Sequence, residues 1–215
     1  AGVAAGDVDL DGDLDLYVTT YLTYDESLMP DDGEGTLYSR EDPIAMLPFS
    51  FPGGDNYLLL NDSGELRPGE SGGTPIRFRD ATEEYGLADE EGRGMQPVFW
   101  DFDRDGDADL YVANDVSVNK LWRNESIVIK RAPELENADE KAPKPAVVTG
   151  TTRGPGGFKD VSFSTGMDDP RGGMGVAIGD VDRDGDEDLF LSNWQLEANA
   201  LYRNNLLSHR SQKTR

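Results

Sequence analysis

Short apolar runs, each only a few residues long, recur along the chain. Examples are DLYV from Asp15, LLL from Leu58 and GVAI from Gly175. The runs alternate with polar residues or stay continuous over four to six positions, and Gly, Asn and Asp bound them. This pattern is typical of strands and not of helices, whose apolar positions recur every three to four residues. The sequence therefore predicts an almost entirely β fold.

One acidic motif occurs three times, and each copy leads into an apolar strand. It reads D-x-D-x-D-G-D-x-D-L followed by two large apolar residues, and it begins at Asp7, Asp101 and Asp180. An Asn-bounded block accompanies each copy (NYLLLN, NKLWRN and NALYRN), and an F-x-D-x block follows the first two (FRDATEEYGL and FKDVSFSTGM). Such self-similarity indicates a repeat architecture. We expect each repeat to contain an acidic hairpin, an Asn-bounded strand, and an F-x-D-x strand that ends near Gly.

The repeats and their variable segments define the predicted domain organisation. Repeat one spans residues 1–93 with an insertion at 21–55, repeat two spans 94–172 with an insertion at 125–157, and repeat three is an incomplete copy at 173–215. The insertion of repeat two is rich in Pro, Lys, Glu and Ala. This composition is typical of an exposed excursion and not of a core.

The charge of the chain indicates which kinds of molecule it can bind. Its 215 residues include 43 acids and 20 bases, which gives a formal net charge of -23. This balance argues against nucleic acid and anionic membrane surfaces, and it favours cations. Cysteine is absent, which excludes disulfides and thiolate chemistry. No apolar run reaches 18 residues, and the opening AGVAAGDVD lacks the pattern of a signal peptide, so we expect neither a membrane span nor a signal peptide within these residues.

The alternating aspartates have the spacing of ligands for a hard cation. Carboxylates at loop positions one, three, five and nine converge when the chain turns at a Gly in position six, and the backbone carbonyl of position seven points to the same place. Ca²⁺ takes six to eight such oxygens, whereas Mg²⁺ seldom takes an all-protein cage. We therefore predict three calcium sites. Their residues are Asp7, Asp9, Asp11, Asp13 and Asp15; Asp101, Asp103, Asp105, Asp107 and Asp109; and Asp180, Asp182, Asp184, Asp186 and Asp188.

Other calcium loops and a simple solvated turn fit less well. An EF-hand needs Glu at position twelve, where this chain has Val18, Val112 and Leu191. The nonapeptide β-helix repeats its motif at every turn, which these widely spaced copies do not. A merely solvated Asp/Gly turn would leave three clusters of like charge without neutralisation, which destabilises the fold. A metal-binding loop between two strands remains.

The acidic loops and their flanking strands resemble a known group of repeats. The D-x-D-x-D-G-x-x-D loop, the upstream GVA and the downstream DLYV and NALYRNN are similar to the FG-GAP/VCBS repeats of integrin-α-type β-propellers, and most closely to the cartilage acidic protein-like (ASPIC/UnbV) branch. The likeness covers nearly all of the chain apart from the two insertions and the last ten residues. It implies consecutive propeller blades whose matching aspartates bind Ca²⁺ at the blade edge, in a parent propeller of seven blades.

Two features depart from this pattern. Trp100 and Pro97 replace the Gly and Val expected in repeat two, so we expect its incoming strand to be distorted. Three repeats cannot close a propeller, which needs four to eight blades. We therefore expect a fragment of a longer protein, or a chain whose open edges are covered by the remaining blades or by another chain.

Two functions from different classes fit these features. The first, suggested by the resemblance, is a non-catalytic calcium-binding scaffold that is extracellular, at the cell surface or periplasmic, and that acts in adhesion or binds a protein or glycan. The alternative is the propeller domain of a carbohydrate-active enzyme such as a polysaccharide lyase, with Asp80, Asp115 or Asp160 transferring protons. The repeated F-x-D-x placement of Asp80 and Asp160 favours a structural role.

The remaining candidate residues indicate structure more than catalysis. The only histidine, His209, lies in a polar tail, which argues against a nucleophilic triad. Large aromatic residues on strand patterns are more often core or blade-interface residues than a platform for stacking sugars. We expect this of Trp100, Trp122, Trp194, Tyr17 and Tyr111.

Overall fold

The computed structural model describes residues 1–25, 27, 51–63, 76–131, 148–153 and 156–206. These residues form thirteen strands and one helical turn, so the predicted, mostly β fold is confirmed. Most of the insertion of repeat one, part of the insertion of repeat two and the tail with His209 lie outside the described residues. The elements are β1 Val3–Gly6, β2 Asp15–Val18, β3 Tyr57–Asn61, β4 Phe78–Asp80, β5 Gly94–Trp100, β6 Asp109–Asn114, β7 Lys120–Asn124, β8 Ile127–Arg131, β9 Val148–Arg153, β10 Phe158–Asp160, α1 Ser162–Thr165, β11 Gly173–Gly179, β12 Asp188–Asn193 and β13 Ala200–Tyr202.

The strands form three larger antiparallel sheets. The first sheet has the order β1-β2-β3-β4, the second β10-β7-β6-β5 and the third β11-β12-β13, while β8 and β9 form a separate hairpin. Strands β1 and β11 both contact β5. The leading strands of the three sheets therefore lie side by side, and each acidic loop connects the first and second strand of its sheet.

The apolar core fills the two spaces between neighbouring sheets. One cluster joins the first and second sheets and includes Tyr17, Leu58 and Leu110; the other joins the second and third sheets and includes Tyr111 and Leu189. Every residue of β6 is buried, because its alternating side chains enter both clusters. The continuous apolar run in this strand is therefore explained by burial on both faces.

The outer sheets are covered on one face only. In β12, Leu189 and Leu191 are fully buried, whereas Phe190 between them is 41% exposed. In β2, Tyr17 is fully buried and its neighbours Leu16 and Val18 are half-buried. Because successive strand residues point to opposite faces, the same D-L-x-x pattern gives different burial in the middle sheet and in the outer sheets.

Two predictions about aromatic residues and strand shape need correction. Four of the five aromatics predicted to lie in the core or at a blade interface are buried, but Trp194 is 59% exposed because it lies in the turn after β12. Strand β5 runs through Pro97 and Trp100 with one irregularity between Gly94 and Gln96, and β11 has an irregularity at the equivalent place. The two substituted residues therefore do not distort β5, because an end strand tolerates proline.

Among the described residues, no helix has the length and apolar character needed to cross a membrane.

Candidate metal sites

The first acidic loop is a tight turn held by its own first carboxylate. Asp7 follows β1, and Asp15 begins β2. The two carboxylate oxygens of Asp7 accept the backbone N–H groups of Asp11 and Gly12, each at 3.1 Å. The second and third loops contain the same pair of bonds at 3.0 to 3.2 Å. The position-one carboxylates that accept them belong to Asp101 and Asp180.

Two positions in each loop have a left-handed backbone. Position six is Gly in all three loops, with φ values of 98°, 102° and 95°. Position four is also left-handed, with φ values of 62°, 59° and 64°, although it holds Leu10, Arg104 and Arg183. Residues with a side chain seldom adopt this conformation. Nothing in the sequence signals position four, because Leu and Arg are not typical of a left-handed backbone.

The aspartate at position nine joins the loop to the third strand of its sheet. In the second loop, Asp109 accepts the N–H of Phe102 at 3.0 Å and that of Asn124 at 2.8 Å, and its side chain is fully buried. Asp15 and Asp188 make the equivalent pairs of bonds, all at 2.9 Å. Two backbone donors hold each carboxylate in a fixed orientation.

The last asparagines of the second and third Asn-bounded blocks each bond to the acidic loop of the preceding repeat. The side-chain amide of Asn124 donates to the carbonyl of Val8 in the first loop at 2.9 Å. The side-chain amide of Asn204 likewise donates to the carbonyl of Phe102 in the second loop at 2.8 Å. The sequence indicated these blocks as strands, but their contact with the loop of the preceding repeat depends on tertiary packing.

Folding brings the carboxylates of positions one, three and nine together in every loop. One oxygen from each residue lies within 4.8 Å of the other two. Like charges at this distance repel each other by about 1 kcal/mol in water and by about 3 kcal/mol at a surface-like dielectric constant. The carboxylate oxygens are hard donors of the kind that Ca²⁺ takes, so the donor set fits the predicted metal. The groups are Asp7, Asp9 and Asp15; Asp101, Asp103 and Asp109; and Asp180, Asp182 and Asp188.

The predicted ligands at position five lie outside these groups. In the first loop, Asp11 accepts the N–H of Asp13 at 2.9 Å, and the equivalent bonds in the other loops are 3.2 and 3.0 Å. These carboxylates therefore orient position seven in the structure. Metal binding through the position-five side chains and the position-seven carbonyls stays a prediction for Asp11, Asp105, Asp184, Asp13, Asp107 and Asp186.

The most strongly raised pKa values among the loop carboxyls belong to the second loop. Burial raises the pKa of Asp109 to about 9, against the opposing effect of its backbone hydrogen bonds. Burial, with the neighbouring charges of Asp105 and Asp101, raises the pKa of Asp103 to about 6. Burial also raises the pKa of Asp15 in the first loop. A bound divalent cation would offset this penalty by favouring the ionised carboxylates.

Arginines lie against the third loop. Arg203, just after β13, forms an ion pair with Asp182 at position three. The guanidinium of Arg104, from position four of the second loop, donates to the carbonyl of Gly185 at 2.8 Å and lies 3.4 Å from the carboxylate of Asp186. The third loop is therefore partly neutralised by the protein itself.

The acids considered for catalysis make structural contacts. Asp80 accepts both the N–H and the hydroxyl of Thr82, at 3.0 and 2.6 Å, and Asp160 makes the same two contacts with Ser162 at 2.9 and 2.6 Å. The hydroxyls in turn accept N–H groups of β3 and β7 at 2.9 Å each. Asp115 accepts the hydroxyl of Tyr21. The matched bonds of Asp80 and Asp160 indicate a repeated structural role.

No family model matches the chain, and no curated protein matches it. The role of the loops is therefore argued from their geometry and chemistry.

Proposed function

We propose that this chain is a calcium-binding scaffold built from consecutive propeller blades of the FG-GAP/VCBS type. The observation that carries the proposal is the threefold recurrence of one carboxylate group, with oxygens from positions one, three and nine within 4.8 Å. A single acidic turn is common on protein surfaces. Three loops with the same carboxylate group and the same backbone hydrogen bonds favour one shared role. Bound Ca²⁺ would supply the positive charge that offsets the repulsion within each group.

The sheet arrangement supports a propeller as the parent architecture. The three sheets are antiparallel, each acidic loop lies between the first and second strand, and β1, β5 and β11 lie side by side. A closed propeller contains four to eight such sheets. We propose that further blades or another chain cover the outer faces of the first and third sheets, where Val3 is 62% exposed and Phe190 is 41% exposed.

The charge and the proposed metal favour a partner and a compartment. A net charge of -23 argues against nucleic acid and against anionic membrane surfaces as partners. Extracellular calcium modules bind at about 10⁻⁴ to 10⁻³ M, a range that suits a secreted, cell-surface or periplasmic protein. We propose a protein or glycan partner, in an adhesion or interaction role without catalysis.

The enzyme alternative has less support. A general acid or base in a propeller enzyme would lie with other polar groups in a binding cavity. Asp80 lines a cavity together with Tyr57 and Asp89. However, Asp80 and Asp160 bond to Thr82 and Ser162 in equivalent places, and hydrogen bonds from Thr82 hold the pKa of Asp80 below its usual range. These matched contacts favour the scaffold.

Calorimetric titration with calcium tests the proposal. We expect three equivalents per chain and, at calcium about 100 times the dissociation constant, a stabilisation of about 2.7 kcal/mol per site. Thermal melting with calcium and with chelator measures this stabilisation. Asp9→Asn should remove one equivalent, whereas Asp25→Asn, the same change at an exposed aspartate outside the loops, should retain all three. Absence of binding at millimolar calcium would rule out the proposal.

A further inference from the structure

Position four differs among the three loops, and the difference determines whether neighbouring loops are connected. Leu10 occupies this position in the first loop, Arg104 in the second and Arg183 in the third. All three have the same left-handed backbone. The guanidinium of Arg104 donates a hydrogen bond to the third loop, whereas the apolar side chain of Leu10 has no donor.

The contact of Arg104 lies at the turn of the third loop. Its guanidinium donates to the carbonyl of Gly185 at position six and lies 3.4 Å from the fully buried carboxylate of Asp186 at position seven. Together these contacts fix the peptide that joins positions six and seven. The backbone carbonyl of Asp186, in the next peptide along the chain, is one of the oxygens predicted to bind the metal, and fixing the residue that carries it limits the directions in which this carbonyl can point.

The backbone of Arg104 belongs to the second loop. It lies between Asp103 and Asp105, and the fourth and fifth positions form the turn that Asp101 closes through its hydrogen bond to Asp105. A cation held in the second loop would fix this turn and with it the starting point of the Arg104 side chain. Binding of a cation to the third loop would then cost less conformational entropy, because Arg104 already holds part of that loop in place.

We infer that Arg104 couples calcium binding in the second loop to calcium binding in the third. The inference rests on the proposed calcium binding and adds a direction: occupancy of either loop strengthens the other, since coupling between sites is reciprocal. The first and second loops lack this bridge within the described residues, because Leu10 cannot donate a hydrogen bond. The side chain of Arg104 is 49% exposed, so its effect is mainly geometric, and solvent screens its charge.

Each loop carries its own reporter for the test. The backbone N–H groups of Gly12, Gly106 and Gly185 each donate to the position-one carboxylate of their own loop at 3.1 Å. Their amide resonances in a ¹⁵N correlation spectrum therefore follow calcium binding loop by loop. Asp103→Asn weakens the second loop, and Arg104→Leu copies the residue that the first loop has at this position.

The coupling predicts a specific pattern of titration midpoints. Asp103→Asn should raise the calcium midpoint of Gly185 by roughly 3- to 10-fold and leave that of Gly12 unchanged. Arg104→Leu alone should raise the Gly185 midpoint by a similar factor. When Arg104→Leu is already present, adding Asp103→Asn should change the Gly185 midpoint less than about 2-fold, as expected once the coupling is lost.

Arg183→Leu is the matched control, because it makes the same change at position four of the third loop. It should leave the effect of Asp103→Asn on Gly185 intact; loss of that effect in this control would overturn the role of Arg104. If all three glycines respond to calcium but Gly185 ignores Asp103→Asn, or if Arg104→Leu lowers the Gly185 midpoint, the coupling is wrong and calcium binding stands. If no glycine responds, both ideas are wrong.

Discussion

The first and second repeats share a hydrogen-bonded frame but differ in their buried charges. Asp89 and Asp169 occupy equivalent places after β4 and β10, with 9% and 5% of their surface exposed. Burial raises the pKa of Asp89, and a hydrogen bond from the Asn114 amide opposes it only in part. Burial also acts to raise the pKa of Asp169, but the guanidinium of Arg171 outweighs it and holds this pKa below the usual value. The pKa values of these two equivalent aspartates are therefore shifted in opposite directions.

The residue two positions after each aspartate contributes to this difference. Repeat one has Glu91 there, whose charge raises the pKa of Asp89 further, and repeat two has Arg171, which pairs with Asp169. The loops, by contrast, keep the same bonds in every copy. Bonds between backbone groups and position-specific carboxylates are set by chain geometry, whereas the charge beside a buried acid changes with a single substitution. The similarity between repeats therefore predicts the shared hydrogen bonds better than it predicts the pKa shifts of buried acids.

Substitution of Asn124, whose hydrogen bonds connect the first and second repeats, should have the largest effect on stability. Asn124 is fully buried, and its amide donates to the carbonyls of Val8 and Ala108, at 2.9 and 3.2 Å. Its counterpart Asn61 is half-buried, and its amide donates to Leu14 within its own repeat at 3.2 Å. We expect Asn124→Ala to lower the free energy of unfolding by about 3 kcal/mol and Asn61→Ala by about 1 kcal/mol, because buried partners lose their bonds only in the first.

Denaturant unfolding in the presence of chelator measures both changes without the contribution of calcium. The two variants delete the same side chain from equivalent strands, so each serves as the control for the other. Equal losses would show that the bond from Asn124 to the first loop adds nothing to stability.

Much of the frame follows from the sequence, and the rest depends on contacts between distant segments. The three acidic loops, and the prediction that positions one, three and nine come together, follow from the local spacing of the aspartates. The bond from Asn204 to Phe102 joins residues 102 positions apart, so no local pattern reports it. The exposure of Trp194 is likewise set by where the chain turns after β12.

A charge swap at Arg171 should have the next largest effect. Arg171→Glu removes both bonds from the guanidinium to the carboxylate of Asp169 and puts a second acid beside it. We expect a loss of stability at pH 7 that is smaller than for Asn124→Ala, and smaller than for a fully buried pair because the arginine side chain is 35% exposed. Lys159→Glu makes the same charge change on an exposed strand residue and should alter stability by less than about 0.5 kcal/mol.

The reverse swap in repeat one should stabilise the protein by a smaller amount. Glu91→Arg removes a like charge near Asp89 and places a guanidinium where repeat two has Arg171. We expect a gain of about 1 kcal/mol at pH 7, measured by chemical denaturation, since Asp89 already accepts one hydrogen bond from Asn114. A loss of stability would mean that the two sites are not equivalent in geometry.

The smallest effect is a difference in sign between two pH profiles. The pKa of Asp89 is raised above its usual value of 3.8 in the folded state, so its stabilising contribution is present below pH 3.8 and is lost as pH rises through the folded pKa. The pKa of Asp169 is lowered, so its contribution is present above pH 3.8 and is lost as pH falls through the folded pKa. Asp89→Asn should therefore gain stability relative to the wild type as pH rises above 3.8. Asp169→Asn should lose stability relative to the wild type as pH rises towards 3.8. Denaturation between about pH 3 and 6 measures the stability difference of each variant from the wild type, and its slope against pH should have opposite signs in the two variants. Slopes of the same sign would mean that Arg171 does not reverse the effect of burial.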